Sequence, residues 1–503
     1  MRRFKPNDRR QIIPCLLIVF AALSFRPYQL DINDRFRFLF VQALYDEDEE
    51  MTDHAMYHKE LNVDFLALHR DRKDVLDLSD AANAGDMAGH ALDVMTNSLY
   101  KRLSSLFGNA KTPECRAKIA QHLNYFVEAL GQEKGLPFQD VIFPNECPEP
   151  VYDWDNLPEG ITIGDIQNRS YQPPPEESEY IDDPANLRLC YGILTHDDAE
   201  ATERLIDTLD EEGHWFIIHV DKKAASAQTY ERLAFYASTR SWVHVLDNNQ
   251  RVSINWGGFS MVNATMQILR YAFAVDEPER EALPFHKFVH LASTSYPLAS
   301  RREIRKRIAS YPLDANFVHV ILKPTRPPPA SWHYFVECDD SLHRIYRLHP
   351  LQNSTSGVEL YTSSQWFIIS REFAQYLAEA KPGSFVHEFL EYVEHVVVAD
   401  ETFFGTVLRH SKFCTKHHNE NFLHLQFDRW ESDLPEELRD PRKCMMPDPD
   451  HCGRSPTTMT IDYVDILELS DDLFARKVRN TRFFCRLLHG KTFSYLFAVC
   501  GLG

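Results

Sequence analysis

The chain has 503 residues, 44% hydrophobic and 25% charged, enough for two or three domains or one large catalytic domain with an appendage. A formal net charge of −20 excludes nucleic acid and anionic membrane surfaces as electrostatic partners, because no basic excess exists to displace phosphate counterions. The ten cysteines contain no CxxC pair, which leaves zinc binding without support.

In chain order, Arg2, Arg3, Lys5, Arg9 and Arg10 precede an apolar run from Ile12 to Phe25 that contains Pro14. The pattern predicts a type II signal-anchor over residues 1–25 with its basic flank cytosolic. A cleaved signal peptide ending near Ala21-Ala22, or a buried or interfacial helix, are the alternatives. Either export signal delivers the rest to an oxidising lumen, where some cysteines pair; Cys444 and Cys452 bracket a short loop able to close on itself. Residues 26–186 read as a stem. They hold an acidic stretch at Asp46 to Glu50, a helix-prone section near Ala81 to Gln132, and an extended Pro-rich linker from Tyr171 to Pro184. Asn168 and Asn353 lie in N-x-S/T sequons in loops and are expected to be glycosylated, whereas Asn263 lies in a helical segment and is not.

The texture changes at Leu187. Short apolar runs at Leu189–Leu194, Trp215–Val220, Val243–Leu246 and Phe288–Leu291 predict strands, and Ala201–Leu209 and Phe259–Ala274 predict helices between them. That alternation means βαβ units and an α/β, mostly parallel, Rossmann-type sheet, whose ligands bind at the carboxyl ends of strands. Those ends carry His196, Asp221 and Ser293 to Ser295. No GxGxxG or Walker sequence follows any of them, so dinucleotide and P-loop readings are excluded.

Two later features carry chemistry. Asp400-Glu401 sits between Val396-Val397-Val398-Ala399 and Phe403-Phe404, a setting that raises a carboxyl pKa and suits a general base, or simply a helix N-terminus favouring acids. Arg476-Lys477 offers two cations for a leaving group that gains negative charge, or else an exposed helix end. Asp448-Pro449-Asp450 is the sole late Asp-x-Asp, in a Pro-rich loop far from the early strands, and reads as a solvated turn.

Eight segments, in order, resemble glycosyltransferase family 14, which comprises the core 2 and I-branching N-acetylglucosaminyltransferases and the peptide O-xylosyltransferases. They are Tyr191–His196 (YGILTH), His219–Lys223 (HVDKK), Asn255–Ser260 (NWGGFS), Ser293–Leu298 (STSYPL), Glu337–Arg347 (ECDDSLHRIYR), Ser363–Phe367 (SSQWF), Asp400–Leu408 (DETFFGTVL) and Leu473–Val478 (LFARKV). Glu337-Cys338-Asp339 with Arg344 and Arg347 leans toward the xylosyltransferase branch. The resemblance implies a GT-A-like catalytic domain over 187–490, ahead of a tail at 491–503. It further implies inverting transfer of xylose or N-acetylglucosamine from a UDP-sugar to a hydroxyl of a glycan or a protein Ser/Thr, without a metal or other cofactor. Glu401 would be the base. Arg476 and Lys477 would meet the diphosphate, with Arg454 a further phosphate contact. Ile193, His196 and Asp221 would contact the uridine nucleotide, and Asn255 and Trp256 the donor. Gln365 and Trp366 would form an acceptor or sugar wall, and Trp430 a second platform. The implied location is the Golgi or endoplasmic reticulum membrane, single-pass type II, with the catalytic domain lumenal. Two positions depart from the family pattern: Ser295 stands where an Asp precedes Tyr-Pro-Leu, and Ser363 replaces a Gly. A lumenal glycan-binding protein that keeps the fold without chemistry, and a two-carboxylate glycoside hydrolase, are the rival readings; the paired cations count against the second.

Overall fold

The computed structural model describes residues 106–131, 143–148, 179–321, 334–346, 358–427, 456–459 and 463–478. The chain divides into two compact units, Met1–Lys134 and Gly135–Gly503. The first contributes one described helix, α1 (Pro113–Gly131), whose start is fixed by Thr112 Oγ1 accepting from Cys115 N–H at 3.1 Å. It falls inside the section the sequence marks as helix-prone.

The second unit is the α/β domain. Its first strand, β1 (Leu189–Thr195), is buried along its whole length, as a near-continuous apolar run should be when helices cover both faces of a parallel sheet. Asp198 then caps α2 (Ala199–Leu209) by accepting from Ala201 N–H at 2.8 Å. There follow β2 (Trp215–Val220), α3 (Ala227–Ala237), β3 (Val243–Val245), α4 (Phe259–Ala272) and β4 (Lys287–Ala292). All four expected strands and both expected helices are present. The helix α4 ends two residues before its expected limit, where Ala274 turns left-handed at φ 53°.

After β4 come β5 (Tyr296–Pro297), α5 (Arg301–Ala309), β6 (Asn316–Phe317), β7 (Val320–Ile321) and the hairpin β8 (Tyr334–Cys338) with β9 (Ser341–Tyr346). Next are β10 (Thr362–Ser363), β11 (Ile368–Ser370), α6 (Arg371–Glu379), α7 (Phe385–Val393), α8 (Asp400–His410), β12 (His417–His418), β13 (Leu423–Leu425), α9 (Val464–Glu468) and β14 (Phe474–Arg476). The main sheet has seven strands in the order β12-β6-β11-β4-β1-β2-β3, all running one way except β11. This is a mostly parallel, GT-A-like sheet. The chain winds outward from β1 through β2 to β3, then crosses back through α4 to β4 on the other side of β1. The carboxyl ends of β1 and β4 therefore flank a topological switch point, where open α/β sheets bind ligands.

A second sheet, β13-β14-β5, hangs from that same edge, because β5 follows β4 by only three residues. Tyr296, Met459, Tyr463, Leu467, Ala475 and Val478 form its small core. By this route the last described strand is carried to the carboxyl edge of sheet strands laid down nearly two hundred residues earlier.

Residues 143–148 lie within the span read as stem, yet they belong to the α/β unit. Phe143 packs on Phe385 and Phe389, Glu146 N–H donates to His410 O at 2.8 Å, and a disulfide joins Cys147 to Cys414. The Cys444/Cys452 loop, the sequons at Asn168 and Asn353 and the segment 12–25 lie outside the described residues. Among the described residues no helix is long and apolar enough to cross a membrane. Asn263 lies within α4, its amide oxygen accepting from Gln267 at 3.2 Å, while the sequon's Thr265 is fully buried.

Candidate active site

The loop Val396–Ala399 is buried, and Val398 holds φ 56°. A β-branched residue is strained in the left-handed region. The conformation is locked by Val398 N–H donating to Gly257 O at 2.7 Å. Directly after it, α8 starts with Asp400 turned inward, 4% exposed, and Glu401 turned out to solvent. Both carboxyls titrate above their usual range. For Asp400 the cause is burial, partly offset by backbone N–H groups and by Arg476. For Glu401 the cause is first the surrounding protein and second the charge of Asp400, again opposed by Arg476. Its open side lets water moderate the rise. Asp400 Oδ1 is buried without a hydrogen-bond partner.

The opposing cation comes from β14. The Arg476 guanidinium lies over the Trp366 ring, 4.7 Å from its centroid. Burial pulls Arg476 down to about 10 while Asp400 and Glu401 hold it up, so it is charged at neutral pH. Trp366 is 6% exposed, with His290 against it at 4.9 Å between ring centroids. Burial lowers His290 to about 4, so the ring beneath is neutral; its Nδ1 lies 2.9 Å from Gln365 O. The covered ring is a floor for Arg476. Gln365 Nε2 is buried and unpartnered, as is Arg476 Nε. Lys477 follows at the strand end, its carbonyl accepting from Met459 N–H at 2.8 Å.

The turn before α4 forms another wall. Glu337, from β8, accepts from Asn255 Nδ2 at 2.8 Å and from Ser260 N–H at 3.0 Å, capping α4 with a carboxylate. A Cβ on Gly258 would lie 2.6 Å from that carboxylate, which explains the second glycine of NWGGFS. Gly257, at φ 73°, is the residue whose carbonyl locks Val398. Trp256 is 67% exposed on this turn, and Asn255 Oδ1 is buried without a partner. The sequence marked Glu337 only as a branch signature; its capping role needed the fold.

The remaining positions separate. Asp221 ends β2, and its Oδ1 accepts from Lys223 N–H at 2.9 Å and from Ile254 N–H at 3.3 Å, so it closes the following turn. His196 is exposed just past β1, 3.4 Å from Asp197. Ile193 is wholly buried in mid-strand between Ile218 and Leu291, so its side chain offers a ligand no surface. Arg454, Trp430, Asp448 and Asp450 lie outside the described residues.

A family model, Core-2/I-Branching enzyme, matches residues 189–451, more than half of the chain. The chain belongs to the Core-2/I-Branching enzyme family. It is also similar to xylosyltransferase 1 of Rattus norvegicus, 24% identical over 323 residues, 62% of this chain and 34% of that protein. Xylosyltransferase 2 of Canis lupus familiaris is 24% identical over 389 residues, 75% of this chain and 39% of that protein. Xylosyltransferase 2 of Rattus norvegicus is 25% identical over 302 residues, 59% and 32% respectively. The chain thus spans about a third of the length of the relatives it matches.

Within this Core-2/I-Branching enzyme the two departures have structural uses. Ser295 is buried, and its Oγ accepts from Ala292 N–H at 3.2 Å, tightening the turn that leads from β4 into β5. Ser363, in β10, is 4% exposed and reaches α8 instead.

Proposed function

We propose that this enzyme transfers a sugar from a UDP-sugar to a hydroxyl of a glycan or a protein Ser/Thr with inversion, and that it does so without a metal. Xylose is favoured over N-acetylglucosamine as the sugar, since the similar proteins named above are xylosyltransferases. The observation that carries the reading is the meeting of Glu401 and Asp400 with Arg476, itself seated over Trp366, at the edge where such sheets bind ligands.

Glu401 faces solvent, as a group that must reach an acceptor has to. Its raised pKa makes it a stronger base than an ordinary Glu. It takes the proton as the acceptor oxygen bonds to the anomeric carbon and the bond from that carbon to the diphosphate breaks. The electron pair leaves with UDP, whose growing charge Arg476 meets with a bidentate-capable fork and Lys477 with a mobile point charge. The buried unpartnered atoms Asn255 Oδ1, Gln365 Nε2 and Asp400 Oδ1 are polar groups that a sugar or nucleotide would satisfy. The Cys147–Cys414 disulfide suits an oxidising compartment, which supports a Golgi or endoplasmic reticulum lumenal domain behind a membrane anchor within residues 1–25.

The test is turnover of UDP-xylose and UDP-N-acetylglucosamine, read as UDP release with a serine-containing peptide as acceptor. Glu401→Gln keeps size but cannot take a proton, so turnover should fall about 10²-fold or more while UDP-sugar binding survives. EDTA should leave the parent active. Near-normal turnover in Glu401→Gln, or activity abolished by EDTA and restored by manganese, would sink the mechanism.

A further inference from the structure

The strand segment leading into β10 runs beside α8, and its alternate residues meet helix residues about one turn apart. At one end, His410 Nε2 lies 3.1 Å from Glu359 N and 2.9 Å from Glu359 O. In the middle, Thr406 Oγ1 accepts from Tyr361 N–H at 3.0 Å and donates to Tyr361 O at 3.4 Å. At the end nearest the site, Ser363 Oγ accepts from Gly405 N–H at 3.1 Å and donates to Glu401 O at 3.3 Å. Strand period two thus meets helix period four at three successive bridges.

The third bridge differs from the others. The first two reach from helix to strand, whereas Ser363 reaches from strand to helix and touches the pair that an ideal α-helix joins directly, the C=O of residue i and the N–H of i+4. Space has been made for it: a Cβ on Gly405 would lie 2.4 Å from Ser363 Cβ. The hydroxyl and the glycine therefore form a matched pair in the first turn of α8, the turn that carries Glu401.

We infer that Ser363 is a positioning residue for Glu401, setting the first turn of α8 through its hydroxyl bridge so that the carboxylate faces the acceptor. The inference rests on Glu401 acting as the base. Without the hydroxyl, the Glu401 carbonyl and the Gly405 N–H lose the partner that ties them to the strand, the turn is held less closely, and the carboxylate swings from its line of attack. Misplacement on the ångström scale costs turnover and not binding.

A double-mutant cycle tests it, using UDP release from whichever of UDP-xylose and UDP-N-acetylglucosamine the parent turns over. Ser363→Ala should lower kcat about tenfold with donor KM unchanged, and should lower it no further in the Glu401→Gln background. Should the alanine variant not fold, Ser363→Cys keeps the volume with a weaker hydrogen bond and should show the same split. Unchanged kcat, a loss residing in KM, or an equal loss in both backgrounds would overturn the role of Ser363 while leaving Glu401 as base. Turnover of neither donor, or full activity in Glu401→Gln alone, would overturn the functional reading and this inference with it.

Discussion

Replacing Arg476 with methionine keeps most of the side chain's length and its apolar contact with Trp366, but removes the charge that holds Glu401 down. A carboxylate base works when ionised, so kcat/KM rises with pH through its pKa and the acid limb reports that pKa in the free enzyme. Removing a cation that opposes the rise must move the limb to higher pH. Glu401 opens to solvent, where an ion pair contributes about 1 kcal/mol or less, so the limb should move by up to about 0.7 of a pH unit. Asp400→Asn perturbs the same carboxyl in the opposite sense, because it deletes the like charge that pushes Glu401 up. Its limb should move to lower pH. The two groups titrate as a pair, so direction is compared between variants rather than a single residue's value. The assay is the pH profile of kcat/KM for UDP release, at constant ionic strength from pH 4.5 to 8.5. Limbs that stay put, or that move the same way in both variants, would refute the electrostatic reasoning. A loss of turnover in Arg476→Met without any shift would leave Arg476 a diphosphate contact with no hold on the base.

Two further outcomes concern stability. Lys287 is fully buried, donating to Pro312 O at 3.2 Å and to Ala315 O, and burial lowers its amine to about 7. Below that pH it is charged in both folded and unfolded states and the native state bears the whole penalty; above it, stability recovers by up to about 1.4 kcal/mol per pH unit until the unfolded amine titrates. Denaturant midpoints measured at pH 7 and pH 9 should therefore rise for the parent relative to Lys287→Met, and parallel midpoints would show that Lys287 stays protonated in the fold. Cys147 and Cys414 are separated by 267 residues, for which the chain-entropy model sets a ceiling of about 5 kcal/mol. Cys147→Ser should lower Tm, and dithiothreitol, which acts on every disulfide it can reach, should lower it at least as far; an unchanged Tm in Cys147→Ser would mean the bond contributes nothing.

How much of this was legible in the sequence depends on how far apart in the chain the interacting groups lie. β1, β2 and β4 were readable because burial on both sheet faces demands apolar runs, and polar residues at their ends marked the edge. Glu401 and Arg476 were readable as chemistry within motifs, but not as a pair, because β14 reaches the site only through pairing with β5. The burial of Ile193 was not readable for a local reason: the motif's register does not tell which of its residues is the last inside the sheet, and a shift of a few positions separates core from rim. The cover over Trp366 was not readable, because the cation that supplies it arrives from more than a hundred residues away. Ser363 and Glu337 were the hardest. One is a serine where the family has glycine, the other an acid in a branch signature, and neither spacing nor composition distinguishes a surface residue from a clamp. What reveals them is the partner's lack of a side chain: Gly405 makes room for Ser363, and Gly258 makes room for the Glu337 carboxylate. Both clamps act on backbone that leads to the site, one on the turn bearing Glu401 and the other on the turn whose Gly257 carbonyl holds Val398. The backbone around Glu401 is thereby held at two points, at Val398 before it by the Gly257 carbonyl and at its own carbonyl by Ser363.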